Sequence, residues 1–327
     1  MKCAGLIFNH SPHYIDHLAP LCSLLNWPLF VCEPEIAESC RTFYPNLTVV
    51  ETDLFSLSHS LPNTIVCCEN RILLEHALPF LKQPYRMIWL PHGLSDKGWG
   101  VSAFEALGKE DLLLIYGPKM AHVLAAKKID RPAIQIGSYR LQYFRKHQAY
   151  YETQVNARFG SSRFHLYAPT WNDWENNGLF WEVYPFLASA IPNRQKLLIK
   201  LHPNTELKYL PEIEMLKGHA PTHVSFVEHF PPIYPLLSRA DSYIGDLSSI
   251  GYDFLHFQKP LFFTVREKKD PRLDPSAYLM RAGVQLLPSE LNQLLNPNLS
   301  YAEEGKKVLE YGFQADENWI QQVQSWV

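Results

Sequence analysis

The stretch ADSYIGDLSSIGYDF, residues 240–254, runs from an apolar strand into a helix through a turn that carries two serines. Its strand, SYIGD (242–246), suits the parallel sheets whose strands are covered by helices on both faces. The turn is not rich in glycine, so it is no ordinary phosphate loop. A helix start leaves backbone N–H groups unpaired and carries partial positive charge. Serine is a favoured cap there, and this is the simplest reading of the pair. One hydroxyl suffices for a cap, however. Ser248 and Ser249 together, with the N–H groups behind them, would also cradle a diphosphate. Asp246 stands just before them and Asp253 just after.

The same rhythm extends in both directions. Short apolar runs at 4–9, 28–33, 47–52, 64–70, 85–93, 111–117 and 133–137 read as strands, with helices over 14–25 and 118–128 between them. A basic, aromatic stretch over 139–162 interrupts the rhythm, and strands resume at 164–171, 196–204, 224–228, 242–246 and 259–265. Strands alternating with helices predict an α/β protein. The expected architecture is two Rossmann-like domains facing across a cleft. The expected boundaries are 1–145 for an N-terminal acceptor domain and 146–162 for a linker. A nucleotide-donor domain follows over 163–310, and a C-terminal helix, broken near Gly312, over 311–327.

Composition narrows the class. The 327 residues are 46% hydrophobic, ample for two cores, and the net charge of -3 disfavours bulk nucleic-acid binding. The six cysteines all lie within the first 68 residues, with no CxxC pair. They predict neither a zinc site nor a disulfide framework, but reduced thiols and a cytoplasmic setting. The N-terminal apolar run stops at Asn9 and reads as a first core strand, not a leader. Arg140, Arg145, Lys146 and Arg158 have aromatic neighbours. They permit peripheral contact with anionic lipid at the inner membrane face; a solvated hinge is the simpler reading.

In open parallel sheets, ligands bind beyond the carboxyl ends of the strands. The polar residues expected there are few. Asn9, His10 and His13 follow the first strand; His92, Gly93 and Lys97 follow RMIWLP; Thr170, Trp171, Asn172 and Asp173 follow FHLYAP. Lys200, His202, Pro203 and Asn204 end LLIKLHPN, and Asp246 leads into the serine turn. A histidine beside glycine can reach a ligand and accept a proton near neutral pH, or simply cap a helix. His202 could donate to a phosphate oxygen or be an ordinary hydrogen-bonded histidine. Nothing in the arrangement requires a metal, and no cofactor is expected.

Taken in order, PHGLSDKG (91–98), APTWND (168–173), IKLHPN (199–204), ADSYIGDLSSIGYDF (240–254) and KPLFF (259–263) resemble the CDP-glycerol glycerophosphotransferase family of teichoic-acid synthesis. The resemblance implies a GT-B fold and metal-independent transfer from a CDP-linked donor to a hydroxyl acceptor, lipid-linked acceptors included. It implies that His92 is the base and that His202 and the serine turn hold the donor diphosphate. Thr170, Lys200, Asn204 and Asp246 would join the donor side, and His10, His13, Gly93 and Lys97 the acceptor side. Three positions depart from the family pattern: Leu247 stands where tyrosine is usual, Asn172 where arginine is usual, and Leu94-Ser95 where Thr-Pro is usual. These departures bear on which group is moved. The alternatives are a GT-B glycosyltransferase with another nucleotide sugar, a nucleotide-sugar epimerase, and a catalytically silent nucleotide-binding relative.

Overall fold

The computed structural model describes residues 2–79, 81, 85–97, 102–173, 176–295 and 301–327; Gly98, which closes the PHGLSDKG motif, lies outside them. The chain divides into two compact units. The first comprises Met1–Leu94, Gly98–His147 and Tyr311–Val327, the second Ser95–Lys97 and Gln148–Glu310.

The first unit holds a seven-stranded sheet of β1 (Cys3–Ile7), β2 (Leu29–Val31), β3 (Val49–Glu51), β4 (Thr64–Cys67), β5 (Arg86–Trp89), β6 (Leu112–Ile115) and β7 (Ala133–Gln135). Its spatial order is β3-β2-β1-β4-β5-β6-β7, and every pairing is parallel. The second unit repeats the plan with β8 (Phe164–Tyr167), β9 (Leu197–Ile199), β10 (Val224–Phe226), β11 (Ala240–Gly245), β12 (Leu261–Thr264) and β13 (Val284–Leu286). Their order is β10-β9-β8-β11-β12-β13, again all parallel. Both follow the doubly wound order, in which the chain reverses direction across the sheet at one central pair of strands. That pair is β1/β4 in the first unit and β8/β11 in the second. The α/β class expected from the strand pattern is thus what the chain adopts.

The apolar runs form strands because they can be buried on both faces. All five residues of β1 are buried, as are all four of β4, β6 and β12. Gly5 of β1 faces the helix Ile15–Leu25, where an added Cβ would lie 2.5 Å from Cys22 Sγ and 2.8 Å from Leu29 Cδ1. Five of the six cysteines are buried and all six are free. In the second unit, Tyr167, Leu187, Ile199, Ile244 and Phe262 belong to one core between sheet and helices.

Two points differ from the sequence reading, the linker and Arg140. The stretch expected as a helical linker is helical but is no free connection: the helix Tyr139–Lys146 belongs to the first unit and the helix Gln148–Phe159 to the second. Lys196 Nζ and Arg239 Nη1 hold it there, donating to Phe159 O at 2.6 Å and Gly160 O at 2.9 Å. Arg140 does not serve a lipid surface. Its side chain is 4% exposed and pairs with Asp16 at 2.9 Å, while Tyr44 donates to the other oxygen of that carboxylate at 2.9 Å. The tail breaks after Phe313, near Gly312 as expected, between the helices Ala302–Phe313 and Trp319–Trp326. Asp316 exchanges two hydrogen bonds with Gln135 of β7, at 2.7 and 2.8 Å. Arg86 lies 3.8 Å above the Trp326 ring. The tail therefore packs on the first unit.

Removing one member of a buried ion pair leaves the other charge without compensation, typically at a cost of about 3–5 kcal/mol. Arg140→Ala is expected to lose stability of that order, read as a lower urea midpoint at unchanged slope. An unchanged midpoint would show that the pair contributes nothing in solution.

Candidate functional site

In the second unit, the site forms where β8, β9 and β11 end. β8 leads through Ala168 and Pro169 to Thr170, whose backbone N–H donates to both carboxylate oxygens of Asp246, at 2.9 and 3.0 Å. This contact spans the central β8/β11 pair. Asp246 is 2% exposed. Burial pushes its carboxyl up to about 7, against the opposing pull of the Lys97 ammonium and the Thr170 N–H.

The serine turn is a helix cap, with more to offer. Ser248 Oγ accepts from Ile250 N at 3.4 Å and starts the helix Ser249–Phe254. The Ser249 hydroxyl stands at the first helical position, half-buried. His202 caps the helix Pro203–Lys208 in the same way, its Nδ1 accepting from Asn204 N at 3.1 Å. A neutral imidazole that accepts at Nδ1 carries its proton on Nε2, so the cap leaves His202 a donor. The Trp171 ring lies 6.1 Å from the His202 ring. Lys200 Nζ donates to Phe230 O at 2.8 Å and so braces the loop after β10.

Lys97 was expected with the acceptor residues, but it belongs to the second unit. Its ammonium bonds Thr170 Oγ1 and lies 3.6 Å from Asp173 Oδ2. The cause is the preceding residue. Asp96, 2% exposed, accepts from Tyr252 Oη and from Leu279 N, both at 2.7 Å. Ser95 Oγ also donates to Leu247 O, at 3.3 Å. A buried carboxylate satisfied by two donors is a strong anchor, and Lys97 is carried along with it. Lys97 thereby joins Thr170, Asp246 and the serine turn.

Beside these residues a pocket of about 190 Å³ is lined by Asn172, Phe180, Trp181, Thr205, Tyr209 and Arg266, among others. Arg266 ties its rim together, donating to Glu182 Oε1 at 2.6 Å, to Asn176 O at 2.6 Å and to Gly178 O at 3.0 Å. A side chain at Gly178 would meet Asn172 N at 2.6 Å.

In the first unit, a second group of polar residues gathers at the ends of β1, β4 and β5. Tyr14 Oη and Asn9 Nδ2 both donate to Glu69 Oε1, at 2.8 and 3.2 Å. The rings of His13, Tyr14 and His92 sit together, with centroids 4.3 Å apart for His13–Tyr14, 5.3 Å for Tyr14–His92 and 5.7 Å for His13–His92. His92 is exposed, and Gly93 beside it takes φ 131°, a conformation that favours glycine. His10 is exposed on the turn after β1. Behind the loop, Tyr116 Oη donates to Pro91 O at 3.3 Å and lies 3.2 Å from His17 Nδ1. Burial holds His17 well below the usual histidine range, with the Arg140 charge adding to the effect.

Of the residues expected at a site, the structure brings Lys97, Thr170, Asp246 and Ser248 into one cluster, and His13 and His92 into another. Glu69, Tyr14, Asp96 and Arg266 were not singled out. Glu69 is the last residue but one of the run TIVCCEN, and its signal is hidden because that run reads as a strand to 70, while β4 stops at Cys67. Among the described residues, no group of three or more His, Cys, Asp or Glu is placed to hold a metal ion.

Residues 133–279 match the family model described as CDP-Glycerol:Poly(glycerophosphate) glycerophosphotransferase, so the resemblance read from the motifs is borne out over that span. No curated protein matches the sequence. Among solved structures, the wall teichoic acid polymerase TagF is similar over 99% of this chain and 87% of its own, at TM-score 0.67 and 15% identity. A TagF structure soaked with CDPG is similar over 99% and 88%, at TM-score 0.68 and 16% identity. The UDP-GlcNAc 2-epimerase from Neisseria meningitidis, bound to UDP-GlcNAc, is similar over 99% of both chains, at TM-score 0.66 and 15% identity. At such identities the likeness is one of fold.

Asp246 has a pH signature. Unfolded, its carboxyl ionises near 3.8; folded, it holds its proton to about 7. Between those values the native state binds the extra proton, so this group's contribution to stability falls as pH rises. The urea midpoint of the wild type should therefore decline relative to that of Asp246→Asn between pH 5 and 8. A pH-independent difference would show that the folded carboxyl is not shifted.

Proposed function

We propose, on the premise of the glycerophosphotransferase match across residues 133–279, that the protein moves glycerol phosphate, or a related polyol phosphate, from a CDP-linked donor to an acceptor hydroxyl in cell-envelope polymer synthesis. The observation that carries the reading lies within that span. Thr170, His202, Asp246 and Ser248 are separated in sequence, yet all stand at the carboxyl ends of the neighbouring strands β8, β9 and β11.

The donor diphosphate would be met by the hydroxyls of Ser248 and Ser249, by the Nε2–H of His202 and by the Lys97 ammonium. The aromatic-lined pocket beside Thr170 would take the nucleoside. His92 would accept the proton of the attacking hydroxyl. The new bond forms from that oxygen to the phosphorus that bears glycerol, and the bond to the CMP oxygen breaks. Catalysis of this kind rests on positioning and charge stabilisation. No helix among the described residues is long and apolar enough to cross a membrane. The proposal places the enzyme in the cytoplasm, with a lipid-linked acceptor reached from the inner membrane face.

The test is product analysis with CDP-glycerol and a glycerol phosphate acceptor. CMP release is expected, and His92→Ala should lower kcat by about 10²–10⁴. His202→Ala should weaken donor binding. Release of CDP would mean glycosyl transfer instead, and unchanged turnover in His92→Ala would remove the assigned base.

Asp246 adds a second check. A CDP-linked diester keeps its charge through neutral pH, whereas Asp246 loses its proton near 7. Donor affinity, read by thermal shift, should strengthen as pH falls from 8 to 6. Asp246→Asn should weaken that dependence, and a profile identical to wild type would refute the link.

A further inference from the structure

We propose that Asn9 and Glu69 form the acceptor subsite of the first unit, and that they take the hydroxyl-rich end of a polyol. This rests on the transfer reading above. The two residues follow β1 and β4, the central pair at which the order of this sheet reverses. That is where an open parallel sheet leaves its carboxyl ends uncovered.

The hydrogen bonding then specifies the ligand chemistry. Asn9 Nδ2 donates to a carboxylate, which can only accept, so the amide orientation is determined and Oδ1 is the atom left over. Oδ1 is buried and has no hydrogen-bond partner among the described residues. A buried acceptor without a donor is costly and calls for one. The bonds that Glu69 accepts from Asn9 and Tyr14 both fall on Oε1, leaving Oε2 as a second acceptor. Two acceptors on a directly hydrogen-bonded pair of side chains suit two O–H donors on neighbouring carbons. A phosphate offers only acceptor oxygens and negative charge, and a carboxylate repels it.

Tyr14 joins this subsite to the proposed base. It is 6% exposed, its hydroxyl is held by Glu69, and its ring packs 5.3 Å from the His92 ring. Burial, reinforced by the Glu69 charge, holds its hydroxyl far above the usual tyrosine range, so it stays a donor. An acceptor gripped by Asn9 and Glu69 would thus lie against the residues that flank His92.

The experiment compares two acceptor probes, glycerol 3-phosphate and 3-hydroxypropyl phosphate, which lacks the second hydroxyl. The wild type should prefer the diol, and Glu69→Gln should raise the KM for it about tenfold or more, the scale of a lost charged hydrogen bond. The donor KM should stay within about twofold. Tyr14→Phe, which keeps the ring and removes only the hydroxyl, should shift the same parameter in the same direction. Saturation-transfer NMR with glycerol 3-phosphate reads the subsite without turnover. Signal lost in Glu69→Gln supports the subsite even if CMP release is never observed, a result that would sink the transfer reading alone. Equal use of both probes by the wild type, or undiminished binding in Glu69→Gln, overturns the proposal.

Discussion

The reversal of strand order at the centre of each sheet is the constraint on which the rest of the structure depends. Connections leave β1 and β4 in opposite directions across the sheet, as they do for β8 and β11. No crossover covers the gap between those strand ends, and the polar groups there must be satisfied by side chains. Both units solve the problem alike. A carboxylate after the later strand accepts from a residue after the earlier one: Asp246 from the Thr170 N–H, and Glu69 from the Asn9 amide. The contact that closes the sheet also defines the place where chemistry can occur.

The two solutions differ in burial, and chemistry follows burial. Asp246 is almost fully enclosed, and desolvation keeps it protonated up to about 7. A carboxyl that is neutral tolerates an anion nearby, and the Lys97 ammonium, bonded to Thr170, adds favourable charge. Glu69 is only half-buried and braced on one oxygen by Tyr14 and Asn9. It suits hydroxyl donors. An anion-tolerant cluster in one unit and a hydroxyl-accepting cluster in the other match the donor and acceptor halves of the proposed transfer.

The strands were legible because burial on both faces leaves a continuous apolar run, whatever the rest of the chain does. The short amphipathic helices Pro34–Phe43, Leu54–Ser60 and Arg71–Ala77 were not, since they bury few residues each. Polar residues at strand ends were legible where a proline or glycine marks the stop, as at His92-Gly93 and His202-Pro203. Glu69 lacks such a mark. Arg140 looked like a surface charge among other charges, because its partner Asp16 lies 124 positions away.

The sequence by itself determined the α/β class, the two successive strand sets and the order of motifs, because apolar periodicity and turn residues are local signals. Tertiary structure alone decided which side chains act together. Lys97 lies four residues from Gly93 in the chain, yet it joins the second unit because Asp96 is bonded to Tyr252, 156 positions on. The tail beyond Tyr311 returns to the first unit because Asp316 pairs with Gln135. Long-range hydrogen bonds of this kind depend on two distant segments meeting in space, and no local pattern in either segment encodes the other.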